Sequence, residues 1–168
     1  MGEAALKVVI FGNLHQDRLS GYIGHPEFHF DDNAFERGRA YIETNRLQVL
    51  PALQQGSPVL AWHAFVRLTH AAQDFYAHSN YVTLWLEQIP EDTWPSSEDI
   101  EPLDEKILAG ALRSGKVYLP LAPLEWIPAL GRYIPTLLPR DSHAWMNLDS
   151  PERGSKFAHT FAATVKRS

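Results

Sequence analysis

Residues 57–78, SPVLAWHAFVRLTHAAQDFYAH, decide the fold class and the chemistry together. Ser57 carries a side-chain acceptor suited to a helix N-cap, and Pro58 suits the first helical position, where a missing N–H costs no hydrogen bond. No further Gly or Pro occurs before Ser79, so the spacing predicts one helix from Pro58 to about His78. Ala61, Ala64, Phe65, Leu68, Ala71, Ala72 and Phe75 make most of its circumference apolar, which predicts burial on several sides. His70, Asp74 and His78 follow at intervals of four and form one ridge about 12 Å long. His63, seven before His70, shares that face within about 20°.

An ionised Asp among imidazoles on such a helix is costly to bury unless a cation or a hydrogen-bond network compensates. A divalent metal compensates directly. Asp74, central in the ridge, can reach toward two ions, whereas His70 and His78 are too far apart along the axis to hold the same one. The plain alternative is a half-exposed polar helix face with no metal. His63 fits a core or supporting histidine better than a ligand.

Working outward, the 168-residue length suits one domain, 1–168, and 45% hydrophobic residues suffice for a core. No apolar run reaches the ~18 residues of a membrane span. The run Val8 to Phe11 is too short for a signal-peptide core, so the chain is expected to be cytoplasmic or the mature form of an exported protein. The net charge of −5 and the lack of a basic stripe argue against a nucleic-acid scaffold. With no cysteine, disulfides and thiolate sites are excluded, and a metal must be held by His nitrogen and carboxylate oxygen.

Glycines and Pro26 make the first 30 residues read as an irregular arm. Helices are expected over 34–50, ended or kinked by Pro51, then over 80–89, 102–113 and 151–166, with a short one near 123–132. Residues 90–101 read as an acidic surface loop, and Trp85, Trp126, Tyr133 and Trp145 as core or rim. The fold class is therefore all-α, with many helices and no set of alternating strands.

Three segments carry a resemblance. Leu68 to Asn80, LTHAAQDFYAHSN, looks like a signature of the HET-C-type proteins, relatives of zinc-dependent phospholipase C and the S1/P1 nucleases. Gly24 to Asp32, GHPEFHFDD, resembles the segment that supplies a zinc-binding His there, with Asp17 at the distance of an upstream Asp ligand. Ser142 to Pro151, SHAWMNLDSP, is similar to the C-terminal segment of the HET-C group, with Leu148 where that group has Lys.

The resemblance implies a helical fold of the phospholipase C/P1 nuclease type with two or three Zn²⁺ ions. Asp17, His29, His70 and Asp74 would hold one ion, with Asp74 bridging. His78 and His143 would help hold a second, completed by Asp149 or His159. The secreted enzymes use an N-terminal Trp for a further zinc position, and here Met1-Gly2-Glu3 stands instead; His15 or His25 would substitute, although each fits a loop or supporting histidine better.

The implied activity is phosphoester hydrolysis by metal-activated water, with Asp17 as the base. Phospholipid is favoured over nucleic acid as substrate because the chain is acidic, and peripheral membrane contact is compatible with that. The alternatives are a non-catalytic interaction module that keeps its metal for folding, and a helical phosphohydrolase of the His-Asp type, which is disfavoured because no adjacent His-Asp pair occurs.

Overall fold

A computed structural model describes residues 2–90, 92–93, 95–127, 129, 131 and 133–168; the side chains of Leu19, Tyr22, Glu125 and Trp126 lie outside that description. Among the described residues the fold is all-helical, with isolated β-bridges in place of strands. The helices are α1 (Glu3–Gln16), α2 (Leu19–Tyr22), α3 (Pro26–His29), α4 (Phe35–Gln54), α5 (Pro58–His78), α6 (Tyr81–Glu87), α7 (Glu105–Leu108), α8 (Ile134–Leu137), α9 (His143–Met146) and α10 (Phe157–Arg167). No helix among them is long and apolar enough to cross a membrane.

The central helix begins and ends where the Ser-Pro signal and the apolar pattern place it, and the Ser57 carbonyl accepts from the Ala61 N–H at 3.2 Å. Ala61, Ala64, Val66, Ala71, Ala72, Phe75, Tyr76 and Ala77 are all buried along it.

The chain forms two compact units, Met1–Phe30 with Ala34–Ala72, and Asp31–Asn33 with Gln73–Ser168. In the first, the expected irregular arm is instead three helices. Gly12, read as a breaker, is a packing surface: a Cβ there would lie 2.7 Å from Val66 Cγ1. A mid-helix glycine costs only about 1 kcal/mol, which close packing against a neighbouring helix offsets. α4 also continues through Pro51 to Gln54, because the proline sits in the last turn and interrupts little of the ladder. α3 packs on α4 through Phe28 and Tyr41, whose rings are 4.7 Å apart.

In the second unit, Phe75, Tyr76 and Tyr81 form an aromatic core. The Tyr76 and Tyr81 hydroxyls donate to the carbonyls of Pro102 and Glu101 at 2.6 and 2.5 Å. The helix expected over 102–113 shrinks to α7, capped by Asp104, because the chain after Gly110 is used in extended form. Asn80 exchanges main-chain and side-chain bonds with Arg113, and Ser79 bridges Ser114.

A second small core joins Ile134, Leu138 and Ala144 to Tyr118 and Leu124. Helices α8 and α9 within this proline-rich stretch carried no sequence signal strong enough to place them. The short helix expected near 123–132 is a 3-10 turn, Ala122–Trp126, and Pro128, Leu130 and Arg132 lie outside the described residues, as do Glu91 and Trp94 of the 90–101 loop. The last helix starts later than expected, at Phe157, after a 3-10 turn over Pro151–Arg153. Trp85 is buried, while Tyr133 and Trp145 are about half exposed.

Candidate metal centre

Three helical segments of the first unit supply converging donors. Asp17 follows the end of α1, His29 ends α3, and His70 lies on α5. His70 Nε2 is 3.3 Å from His29 Nδ1 and 3.4 Å from Asp17 Oδ1. Asp74 lies one turn past His70 on the same face of the unbroken α5. Asp17, His29 and His70 each place a ligand atom within 4.8 Å of the others. The imidazoles are buried, the Asp74 carboxylate is nearly so, and the Asp17 side chain is about half exposed at 52%.

The outer edges of both rings face carbonyl oxygens. His70 Nδ1 is 3.1 Å from Asn13 Oδ1, and the Asn13 amide is oriented by donating from Nδ2 to the Val9 carbonyl at 2.9 Å. His29 Nε2 is 3.2 Å from the Gln16 main-chain carbonyl. A carbonyl only accepts, so each outer nitrogen must carry its hydrogen, and neutral rings then present lone pairs at their inner nitrogens. Two lone pairs 3.3 Å apart, with carboxylates beside them, repel unless a positive charge sits between them.

The remaining ridge histidine belongs to a different group, within the second unit. His78 Nε2 is 3.5 Å from Asp149 Oδ2 and 4.0 Å from Asp74 Oδ2. Its ring stacks on that of His143, with centroids 4.0 Å apart and planes 22° from parallel. His143 Nδ1 is 2.7 Å from the fully buried Asp31 Oδ1.

Asp31 reaches that position because Phe30, Asp32 and Asn33 all adopt left-handed backbone, and the Asp32 N–H donates to Gly115 O at 2.9 Å. Gly115 in turn donates to His78 O, and a Cβ on it would come within 2.4 Å of the His143 backbone, so only glycine fits. Stacked rings hold their lone pairs in nearly parallel planes rather than aiming them at each other, unlike the pair on His29 and His70.

The other predicted positions lie elsewhere. His159 packs on the Trp85 ring, with Nε2 3.3 Å from the Pro95 carbonyl. His25 stacks on Phe28 and pairs with Glu27, which also binds Arg37. His63 is exposed and, with His15 and His25, lines a cleft of the first unit. Sequence reasoning missed Asn13, Gln16 and Asp31. The Asn13 to Gln16 spacing within a helix gives no hint of its partners on α3 and α5. Asp31 lies inside the Gly24–Asp32 segment, where the expected ligand is His29.

Residues 3–108 match the VWA7 N-terminal domain family, a span that contains Asp17, His29, His70, Asp74 and His78, but not His143, Asp149 or His159. The von Willebrand factor A domain-containing protein 7 of Rattus norvegicus is 36% identical over 96 residues, which is 56% of this chain and 11% of that protein. The corresponding proteins of Mus musculus and Homo sapiens are 35% identical over the same length and shares. The chain thus spans about a ninth of the length of these relatives. No solved structure matches it.

These findings overturn the resemblance to the HET-C-type proteins, zinc phospholipase C and the S1/P1 nucleases. With it goes the phosphoester hydrolase reading, and the phospholipid substrate and the specific phospholipase C/P1 nuclease fold type are left without support. The motif misled for a physical reason: a His-x-x-x-Asp-x-x-x-His ridge specifies where donors point and not what reaction, if any, is performed between them. With its family match covering more than half of the chain, this protein belongs to the VWA7 N-terminal domain family.

Proposed function

We propose that this domain binds one divalent transition metal, zinc by its donor chemistry, and uses it as a clasp that holds the α1 end, α3 and α5 in one arrangement. The observation that carries this reading is the convergence of His29 Nδ1 and His70 Nε2, whose outer nitrogens are both committed to carbonyl acceptors. Imidazole nitrogen and carboxylate oxygen suit Zn²⁺ without thiolate. At bond lengths of about 2.0–2.1 Å, tetrahedral donors sit about 3.3–3.4 Å apart, and the His70–His29 and His70–Asp17 separations are 3.3 and 3.4 Å. The carbonyls of Asn13 and Gln16 would fix ring orientation and tautomer, as outer partners of metal-bound histidines do. The domain is then a metal-stabilised helical module of a longer protein architecture, its ion contributing to folding.

The test is elemental analysis of protein purified without chelator and of the His70→Ala variant. About one zinc per chain is expected in the native protein, and a small fraction of that in the variant. Folded native protein that holds less than half an equivalent of any transition metal, even after incubation with zinc, would sink the proposal.

A second expectation concerns Asn13. Replacing it with Ala leaves the donors in place but removes the acceptor that orients His70. Zinc affinity, measured by competition with a chromophoric chelator, is expected to fall about 10–100-fold. An unchanged affinity would show that the ring is oriented by packing alone.

A further inference from the structure

The first unit contains an open cleft of about 980 Å³. Its charged lining is one-sided. Lys7, Arg18 and Arg67 face it together with His15, His25 and His63, and among the described residues that line it none is a carboxylate. In a chain of net charge −5, that concentration of cations is not a reflection of the average surface. Phe11, Phe28 and Tyr41 give the same cleft an aromatic wall.

A buried donor also belongs to this lining. Gln16 is 4% exposed, and its Nε2 has no hydrogen-bond partner. Its Oε1 accepts from the Tyr41 hydroxyl at 2.9 Å, and burial pushes the Tyr41 phenol up to about 12, so the hydroxyl keeps its proton at neutral pH. With the oxygen used in this way, the NH₂ is left to donate. Leaving such a donor buried is unfavourable, and an acceptor group in the cleft would satisfy it. Arg67 is held in place by donating from Nε to Asn45 Oδ1 at 2.7 Å.

The geometry points to a ligand site for a small aromatic carboxylate or similar organic anion, with its ring on the aromatic wall and its charged group among Gln16, Arg18 and Arg67. A largely apolar cleft with a few converging polar groups is the usual form of a small-molecule site. Charge-assisted bonds from Arg to carboxylate are the strong contacts it offers. This inference is independent of the metal clasp, because the Gln16 main chain, not its side chain, contacts His29.

The experiment is calorimetric titration of the full chain with naphthalene-2-carboxylate and with its neutral isostere naphthalene-2-carboxamide. The acid is expected to bind one to one and at least about tenfold more tightly than the amide, with the difference shrinking at high salt. Arg18→Gln, at an exposed position, and Arg67→Gln, on the cleft wall, are each expected to weaken the acid about tenfold while metal content stays unchanged. Equal affinity for acid and amide, no binding of either at millimolar concentration, or full affinity in both folded variants would overturn the inference. Acid binding by folded native protein that holds no transition metal would overturn the clasp instead and leave this site standing.

Discussion

Chelation of the purified protein is expected to lower its melting temperature by roughly 8–16 °C, and re-addition of zinc to restore it. The size follows from mass action. A ligand at about a thousand times its dissociation constant stabilises the native state by about 4 kcal/mol, and each kcal/mol moves Tm by roughly 2–4 °C for a chain of this size. The sign follows from the donors. Without the ion, His29 Nδ1 and His70 Nε2 face each other at 3.3 Å beside the Asp17 carboxylate, and α3, four residues long, keeps only contacts such as Phe28 on Tyr41 to seat it against that repulsion. A helix of one turn has no independent stability in water. Differential scanning fluorimetry with EDTA, and then with excess zinc, reads the effect. A melting curve that does not move after verified metal removal would mean that the ion adds nothing to folding and that packing alone seats α3.

Asp31→Ala is expected to cost about 3–5 kcal/mol while metal content stays near one equivalent. Asp31 is fully buried, and its Oδ1 lies 2.7 Å from His143 Nδ1. Removing one partner of a buried, hydrogen-bonded pair leaves the other polar group without compensation, which is the expensive case. The His143 ring also stacks on His78, so its displacement would disturb the end of α5 within the second unit.

Asp141→Ala is the control. Its pair with Lys116 has a comparable length of 2.8 Å but is exposed, and the Lys116 and Tyr118 bonds that hold the Asp141 carboxyl below the usual range are screened by water. Urea unfolding of both variants decides the matter. Near-equal midpoints would show that the buried pair contributes no more than a surface one. Loss of metal in Asp31→Ala would show that the two donor groups act as one.

Much of α5 was readable before any tertiary information, for a local reason. The Ser-Pro start, the apolar periodicity and the absence of breakers up to Ser79 are short-range features, and helix formation responds to short-range features. Asp104 and the final amphipathic stretch are local signals too, although the structure shortened both elements. Gly12 and Pro51 were misjudged because each was weighed as a breaker by its intrinsic cost. In the structure that cost is small beside the packing of Gly12 against Val66, and beside the position of Pro51 in a last turn.

By itself, the sequence determined that the chain is helical, that any transition metal here must be bound without thiolate, and that His70, Asp74 and His78 share one face of one helix. These follow from composition and from the 3.6-residue period. Tertiary structure decided which of those residues act together. His70 meets His29 across 41 residues, and His143 meets Asp31 across 112, so the ridge divides between two donor groups. It also decided that Asn13 and Gln16 orient the rings and that three cations share one cleft. No local pattern contains these pairings, because they depend on which surfaces pack. That choice is made by close approaches such as Gly12 on Val66 and Gly115 on the His143 backbone, where a single absent Cβ admits the neighbouring segment.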